Sequence, residues 1–455
     1  MTASLIRDLA DKVLDVWRSE PIQARRRMWA RHIRGEKVEK VPVIVFLIWG
    51  DRALWQEVMP VDAVSTEPLA ASIEYQLKQK LWKWRSIPDD DLIRPWVALP
   101  LPRPPDTGPL WGIELPQERT AERGSSRPIP VVSSLEDLKR LTRPRFRWDE
   151  ARRAELLARA RELLDDKLPV FFEANQMGES PFEHACRMCG MEALFVGVLE
   201  RPEFVHAVME FVTEGMVAYH REREAAGFVS AEESWRRCKV RWDEVPEEPA
   251  AGSSPPGEAE EEGWGRGGLR LKEVWAYVSA QSAAPLSPRQ YEEFVQPYHE
   301  RVADLFGKVY YHGCEDLTAK MDTIAGLPNL RRFHVSPWTN LAVAAEKLGR
   351  RFIIEKHVHS PNVLFAFTLD QVREELRQAL DVGRDLVMEI HLSDITTVAG
   401  DPERLIRWAA IAQEETERAS ARTVGRGAVR GQAVGGHTAG GPARGGRAKG
   451  GGGLR

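Results

Sequence analysis

The sequence predicts an α/β protein built as a (β/α)8 barrel. Apolar runs of strand length alternate with amphipathic helical segments along most of the 455 residues, a pattern typical of a parallel sheet covered by helices. Gly307, Gly349 and Gly383 stand where a helix should end before the next strand. Counted loosely, the chain holds the eight strand and helix units of a closed barrel. An open doubly wound sheet is the alternative, but only Gly50 follows the first strand, where such a fold carries a glycine-rich phosphate loop.

Helical patterns lie between the predicted strands. The strand-like runs are residues 41–49, 92–99, 169–175, 228–232, 308–311, 331–335, 351–358 and 386–392. A further candidate, residues 269–280, could continue the fourth strand. The helical patterns are residues 68–84, 149–166, 202–226, 288–306, 340–348, 369–382 and 402–419.

Composition divides the chain into three parts. Residues 1–40 are predicted to be a helical extension, because residues 4–20 have an amphipathic pattern without the features of a signal peptide. Residues 41–422 form the predicted barrel, interrupted at 244–268 by a segment rich in Pro, Gly, Ser and Glu that is expected to be a disordered loop. Residues 423–455 are rich in Gly, Ala and Arg without an acidic residue, and a disordered tail is expected there.

The charge balance and the cysteine content narrow the class of protein. Lys and Arg total 64 and Asp and Glu 68, for a net charge of −4, so no overall field favours nucleic acid or a membrane as partner. The chain also lacks an apolar run approaching the roughly 20 residues of a membrane span. Four cysteines in so long a chain do not make a disulfide framework. A cytoplasmic protein is expected.

An imidazole and a thiol follow the apolar run at residues 308–311. His312 and Cys314 are two positions apart, and such residues point to the same side of an extended chain. Imidazole nitrogen and thiolate sulfur are donors that zinc prefers. On its own the pair fits a core histidine beside an inert thiol at least as well as a metal site.

Further polar residues follow the other strand-like runs. The carboxyl ends of barrel strands meet at one face, where active sites lie. The residues at these ends are Glu173, Asn175 and Gln176 on the third run, then His334 and Ser336, His357 and His359, and His391 and Asp394 on the last three. With His312, and with His184 in the helix after the third run, six of the eleven histidines fall at or near this face. The clustering favours a metal or proton-transfer site.

A set of short segments, most of them in the second half of the chain, points to a known family. The set consists of residues 286–294 followed by Pro297-Tyr298, the strand that leads to His312 and Cys314, Gly383 before the last strand, Asp401-Pro402-Glu403 after it, and residues 31–43 at the start. It resembles the uroporphyrinogen decarboxylase superfamily from about residue 24 to 418, most strongly from Leu286 onward. The resemblance implies a (β/α)8 barrel enzyme. The superfamily contains tetrapyrrole decarboxylases, which are lyases, and zinc-dependent methyltransferases that exchange methyl groups with corrinoid (cobalamin-type) proteins.

The end of the first strand distinguishes the two branches. Family decarboxylases carry an Arg-Gln-Ala-Gly-Arg type segment there, whereas residues 48–54 read Ile-Trp-Gly-Asp-Arg-Ala-Leu. In the methyltransferase branch the His-x-Cys strand is joined by a third zinc ligand, normally cysteine, in the last strand, and the corresponding segment here contains His391. The resemblance therefore implies zinc held by His312, Cys314 and His391. It also implies a methyl-corrinoid carried by a partner protein and a small thiol or methoxylated substrate.

Other residues near the predicted strand ends receive candidate roles. The candidate catalytic residues are Glu173, Asn175, His357, Asp51 and Arg52, and the candidate cofactor-binding residues are Trp49, Trp338 and Ser336. Trp49 and Trp338 are expected to line an apolar pocket for a ring or macrocycle. The Cys186-x-x-Cys189 pair lies in a helical pattern and is interpreted as two buried thiols.

Two other functions stay open on the sequence. One is metal-free decarboxylation of an acidic, tetrapyrrole-like substrate, for which Asp51 and Arg52 are the only polar pair at the first strand end. The other is a catalytically silent barrel that binds a metal or corrinoid for a partner. Assembly into a homodimer is also left open.

Overall fold

Eight strands form the framework of the fold. The structure is a computed structural model that describes residues 2–60, 62–119, 126–233 and 268–434, with side chains described through residue 422. The strands are β1 (Val43–Val45), β2 (Val97–Pro100), β5 (Val170–Glu173), β6 (Trp275–Ser279), β7 (Lys308–His312), β8 (Leu330–Val335), β9 (Ile353–His357) and β10 (Val387–Leu392). Every ladder between these strands is parallel, and β10 pairs with β1. The mixed α/β, barrel-like fold predicted from the sequence is confirmed.

Helices and one hairpin fill the connections. The helices are α1 (Thr2–Arg18), α2 (Glu20–Ile33), α3 (Arg52–Val58), α4 (Pro68–Ser86), α5 (Leu135–Leu138), α6 (Glu150–Leu164), α7 (Pro181–Cys189), α8 (Met191–Glu200), α9 (Pro202–Ala225), α10 (Pro288–Phe294), α11 (Gln296–Ala303), α12 (Met321–Ile324), α13 (Leu341–Leu348), α14 (Leu369–Val382) and α15 (Glu403–Val434). The antiparallel hairpin of β3 (Gln117–Arg119) and β4 (Ser126–Pro128) forms a sheet of its own. Ser287 begins α10 and Thr368 begins α14, each with a reciprocal capping box that satisfies free N–H groups of the helix.

Side chains replace the backbone ladder at two places in the ring. The strands form one six-stranded sheet, in the order β1-β10-β9-β8-β7-β6, and a separate β2-β5 pair. On β1, the N–H groups of Val43 and Val45 donate to the carboxylates of Asp90 and Asp89, each at 2.9 Å. On β6, the N–H of Ser279 donates to Ser180 Oγ at 2.9 Å. Buried backbone N–H groups need a partner. These side chains supply one on the side of β1 and of β6 that has no neighbouring ladder.

The N-terminal helices pack against the barrel. Helix α1 confirms the helix predicted at residues 4–20, and its apolar face packs with α4 and α6. In α2, Trp29 Nε1 donates to the carbonyl of Asp90 at 2.7 Å, and His32 Nε2 lies 3.0 Å from Glu389 Oε2. The start of the chain is therefore joined to the last strand through buried polar contacts.

The structure corrects the position of the fourth strand. The run at residues 228–232 was expected to form it, but residues 228–230 are irregular, and the fourth strand of the ring is β6. The segment at 269–280, considered only as a continuation, supplies that strand, because Trp275–Ser279 pairs in register with β7. The expected loop at 244–268 lies almost wholly outside the described residues.

The last helix extends beyond residue 423, where the tail was expected to start. Helix α15 continues to Val434, past residue 423, and residues 435–455 lie outside the described part. The division into extension, barrel and tail stays a prediction. Among the helices of the described ranges, none combines the length and the apolar character needed to cross a bilayer.

A buried carboxylate on α4 should make stability depend on pH. Burial opposes ionisation of Glu74, but its hydrogen bonds with Lys78, Ser65 and the Val64 N–H lower its pKa to about 2. The folded state thus holds this proton less tightly than the unfolded state. The stabilisation is present above about pH 4.5 and is lost as the pH falls towards 2.

We expect Glu74→Gln to lower the free energy of unfolding at pH 7 by up to about 3 kcal/mol and to flatten its fall below pH 4.5. Urea denaturation at pH 7 and pH 3 measures both effects. Glu136→Gln is the control, because Glu136 is exposed on α5. Equal pH profiles for wild type and Glu74→Gln would show that the contacts of Glu74 contribute nothing.

Candidate active site

Four strands bring four histidines together inside the barrel. His312, His334, His357 and His391 occupy inward-facing positions near the carboxyl ends of β7, β8, β9 and β10. All four are at most 5 % exposed. Neighbouring ring centroids lie 4.2 Å apart for His312 and His334, 4.1 Å for His334 and His357, and 5.4 Å for His357 and His391. The predicted convergence of histidines from separate strand ends is present in the structure.

A charged layer lies two residues earlier on the same strands. Because side chains alternate along a strand, Tyr310, Arg332, Glu355 and Glu389 point inward beneath the histidines. Arg332 faces both carboxylates: its Nη2 lies 3.1 Å from Glu355 Oε2 and also contacts Glu389 Oε1. Burial disfavours the charged form of Arg332, but the two carboxylates raise its pKa overall. The layer therefore holds a guanidinium that stays ionised.

The imidazole and thiol predicted as a pair are in contact. His312 Nε2 lies 3.2 Å from Cys314 Sγ. On the other side of the ring, His312 Nδ1 lies 2.8 Å from the hydroxyl of Tyr310, which fixes the ring orientation. Burial raises the pKa of Tyr310 well above its usual value, so this hydroxyl keeps its proton.

A carboxylate from the end of the last strand completes this arrangement. Asp394 Oδ2 lies 3.7 Å from Cys314 Sγ and 3.8 Å from His357 Nδ1. Asp394 has φ of +56°, a left-handed conformation that costs energy for a non-glycine residue and is concentrated at functional sites. Ser360 Oγ donates to its carbonyl at 3.0 Å. Asp394 is thus held with its carboxylate beside the imidazole and thiol pair.

His391 lies among carboxylates. Its Nδ1 is 3.4 Å from Glu355 Oε1 and its Nε2 is 3.2 Å from Glu389 Oε1. Burial lowers the pKa of His391 to about 4, so it is neutral at physiological pH. The assignment of His391 as the third zinc ligand stays a prediction, and its nearest charged neighbours are these two glutamates.

Two cavities lie at the ends of β1, β2 and β5. One of about 510 Å³ is lined by Trp49, Arg52, Trp96 and Glu173 among others. A second of about 430 Å³ shares Glu173 and adds Asn175 and Glu233. Both volumes suit a small ligand. Four of the predicted site residues (Trp49, Arg52, Glu173 and Asn175) therefore border these cavities.

The remaining predicted site residues make local contacts. Asp51 accepts from the Leu54 N–H at 3.0 Å as the N-cap of α3. Ser336 Oγ donates to the Glu315 carbonyl at 2.7 Å and accepts from two N–H groups of the following turn. Trp338 is 61 % exposed and lies edge-on to His359 at 5.0 Å. Their proposed catalytic or cofactor-binding roles stay predictions.

Two residues of the site were not assigned a role from the sequence. Asp394 was recognised at a strand end but given no role, and its position three residues after His391 was the available signal. Tyr310 precedes His312 by two residues, so period-two alternation could have placed its hydroxyl on the same face. Cys186 and Cys189 are buried on α7, and burial raises the pKa of both thiols, in Cys189 to about 12. Their burial agrees with the sequence interpretation of two buried thiols.

The fold and this site define a class of protein. Its members are parallel barrels whose strand ends carry an imidazole, a thiol and a carboxylate. A family model for uroporphyrinogen decarboxylase matches residues 275–388, from β6 into β10, and includes His312 and Cys314. The resemblance to that superfamily is confirmed over this range.

Comparison with whole proteins adds little about function. A methyltransferase from Methanosarcina mazei is similar in structure, with a TM-score of 0.48 and 14 % identity, covering 86 % of this chain and 98 % of that one. Similarity at this level does not carry an activity from one protein to the other. No curated protein matches the chain.

Proposed function

We propose that the protein is a methyltransferase that binds zinc through His312, Cys314 and Asp394. Its reaction would move a methyl group between a corrinoid on a partner protein and a small thiol or methoxylated substrate. The observation that carries the proposal is the contact of His312 Nε2 with Cys314 Sγ at 3.2 Å, with Asp394 Oδ2 3.7 Å from the same sulfur. The likeness to the uroporphyrinogen decarboxylase family over residues 275–388 supports it.

The donor atoms fit zinc. Nitrogen, sulfur and oxygen ligands are all common in zinc proteins, and catalytic sites keep three protein ligands and one open position. We favour Asp394 over His391 as the third ligand, because Asp394 lies beside Cys314 whereas both ring nitrogens of His391 face buried glutamates. When bound, zinc lowers the pKa of a thiol or polarises an ether oxygen.

The chain's own residues orient these donors. A hydrogen bond from His312 Nδ1–H to the Tyr310 hydroxyl leaves the lone pair of Nε2 directed at the thiol side. His357 Nδ1 lies 3.8 Å from Asp394 Oδ2, the same oxygen that lies near Cys314 Sγ. In this proposal, the predicted catalytic role of His357 is to orient the Asp394 carboxylate.

The two cavities at the ends of β1, β2 and β5 carry little positive charge. Glu173 and Glu233 line the second cavity, and its lining includes no basic side chain. In the first cavity, Lys80 Nζ is already engaged with the carbonyls of Arg94 and Trp96, at 2.7 Å each, which leaves Arg52 as the other cation. A third cavity of about 170 Å³ shares Gln176 with the second and is lined by four arginines, so cavity charge does not decide between the two reactions. Decarboxylation that uses Asp51 is disfavoured because Asp51 serves as a helix cap.

Methyl transfer from free methylcobalamin to small thiols tests the proposal. The methyl group leaves cobalt without the bonding electron pair and joins sulfur, the thiol proton passes to a base, and cob(I)alamin remains. We expect zinc-loaded wild type to convert methylcobalamin and 2-mercaptoethanol to the thioether, followed by the change in cobalamin absorbance. Carbon dioxide release from uroporphyrinogen without any thioether formation would contradict methyl transfer and favour the decarboxylase.

Two variants decide between the candidate third ligands. We expect Asp394→Ala to lower the rate by about 100-fold or more, because a zinc ligand is lost. His391→Asn should retain zinc and most of the activity, since it changes a neutral residue of the barrel interior. The reverse order of effects would assign the ligand to His391.

A further inference from the structure

A second group of potential metal ligands lies within the barrel, next to the proposed zinc ligands. One ligand atom from each of His334, Glu355 and His357 lies within 4.8 Å of the other two, and all three residues are buried. We propose that this group, the inner site, binds a second divalent transition-metal ion. The inference does not rest on the proposed methyl transfer, because none of the three residues is a ligand of the zinc proposed above.

Strand register builds the inner site. His334 on β8 is paired in register with Glu355 on β9. His357 follows Glu355 by two residues, so both point into the barrel, and His357 Nε2 lies 2.5 Å from Glu355 Oε1. His334, Glu355 and His357 are at most 1 % exposed. Two imidazoles and a carboxylate are thus fixed by adjacent strands without any loop.

The charges around the inner site favour a cation. The positive charge of Arg332 faces two carboxylates, Glu355 and Glu389, and all three groups are 0 % exposed. Burial opposes ionisation of Glu389, but the guanidinium and the bond from His32 lower its pKa well below its usual value. Two buried carboxyl groups thus face the single guanidinium of this layer. Buried carboxylates are costly unless they are paired or coordinate a metal.

Tyr310 can hold His334 in the form that binds metal. Its hydroxyl lies 2.8 Å from His312 Nδ1 and 3.3 Å from His334 Nδ1. A phenol oxygen can accept both N–H bonds with its two lone pairs. In that tautomer both imidazoles present Nε2 as an acceptor, which is the atom that a metal needs.

The donor set indicates which ion is bound. Two imidazole nitrogens and one carboxylate oxygen, without sulfur, suit zinc or ferrous iron. The hard ions magnesium and calcium favour sites made wholly of oxygen. An ion in the inner site would join β8 to β9 through His334, Glu355 and His357.

Metal content per chain tests the inner site. Wild type, Cys314→Ala, His334→Asn and the double variant are loaded with Zn²⁺ under reducing conditions, desalted and measured by plasma mass spectrometry. We expect two, one, one and no equivalents, respectively. His299→Asn is the matched control and should keep two, because His299 is a fully buried histidine on α11, away from this group.

The pattern of metal loss shows which of the two proposed sites binds metal. One equivalent in wild type and in Cys314→Ala but none in His334→Asn would reject the zinc site and retain the inner site. If Cys314→Ala loses a full equivalent while His334→Asn loses no metal, the inner site is overturned. If His334→Asn does not fold, Cu²⁺-loaded Cys314→Ala provides the test. Pulsed EPR should detect two coupled imidazole nitrogens, and their absence would also overturn the proposal.

Discussion

Cys314→Ala and His312→Ala are each expected to remove one equivalent of bound zinc per chain and to lower methyl transfer by at least about 100-fold. Each variant deletes one of two donor atoms that lie 3.2 Å apart, and a site with fewer protein ligands binds zinc much more weakly. Plasma mass spectrometry gives the zinc content, and turnover of methylcobalamin with excess thiol gives the rate.

Cys186→Ala is the matched control for the cysteine variant. Cys186 is a free, buried thiol on α7 and contacts none of the proposed ligands, so its replacement should leave zinc content and rate unchanged. The account fails if Cys314→Ala retains the full zinc content. It also fails if Cys186→Ala loses as much zinc as Cys314→Ala.

Among the variants proposed for stability measurements, Arg332→Met is expected to lower the free energy of unfolding the most. Its guanidinium is the positive charge that faces Glu355 and Glu389 in a layer without solvent exposure. Removing one partner of a buried ion pair leaves uncompensated charge, which costs about 3–5 kcal/mol. Urea unfolding at pH 7 measures the change in the free energy of unfolding.

The control for Arg332→Met is a surface pair. Arg27 and Glu20 are within 2.6 Å of each other but are 57 % and 77 % exposed, and such pairs contribute about 0–1 kcal/mol. Arg27→Met should therefore be nearly neutral. Adding Glu389→Gln to Arg332→Met should recover part of the lost stability, because it removes one of the stranded charges. A variant Arg332→Met as stable as wild type would mean that the layer is not charged as described.

Strand positions were largely predictable because the barrel strands are rich in apolar and β-branched residues. Residues 351–358 and 386–392 contain β9 and β10 within one or two residues of their ends. The fourth strand was misplaced because residues 228–232 and 269–280 carry similar local signals. Only pairing with β7, a tertiary contact, decides that Trp275–Ser279 is the strand.

The depth of each side chain could not be read from the sequence. His391 and Asp394 both follow the apolar run of the last strand, and both were expected at its end. Register decides the difference: His391 pairs with His357 inside the barrel, whereas Asp394 lies beyond Leu392, the end of β10. The alignment of neighbouring strands is set by packing of the whole ring, which local pattern does not reveal.

The most direct test of the central claim is the absorption spectrum of the protein loaded with Co²⁺ in place of zinc. Thiolate bound to Co²⁺ gives an intense near-ultraviolet charge-transfer band, whereas imidazole and carboxylate ligands alone give only weak visible bands. We predict the band in wild type, its loss in Cys314→Ser, and its persistence in His334→Asn, which leaves Cys314 untouched. A Co²⁺-loaded wild-type protein without the band would show that Cys314 binds no metal and would contradict the account.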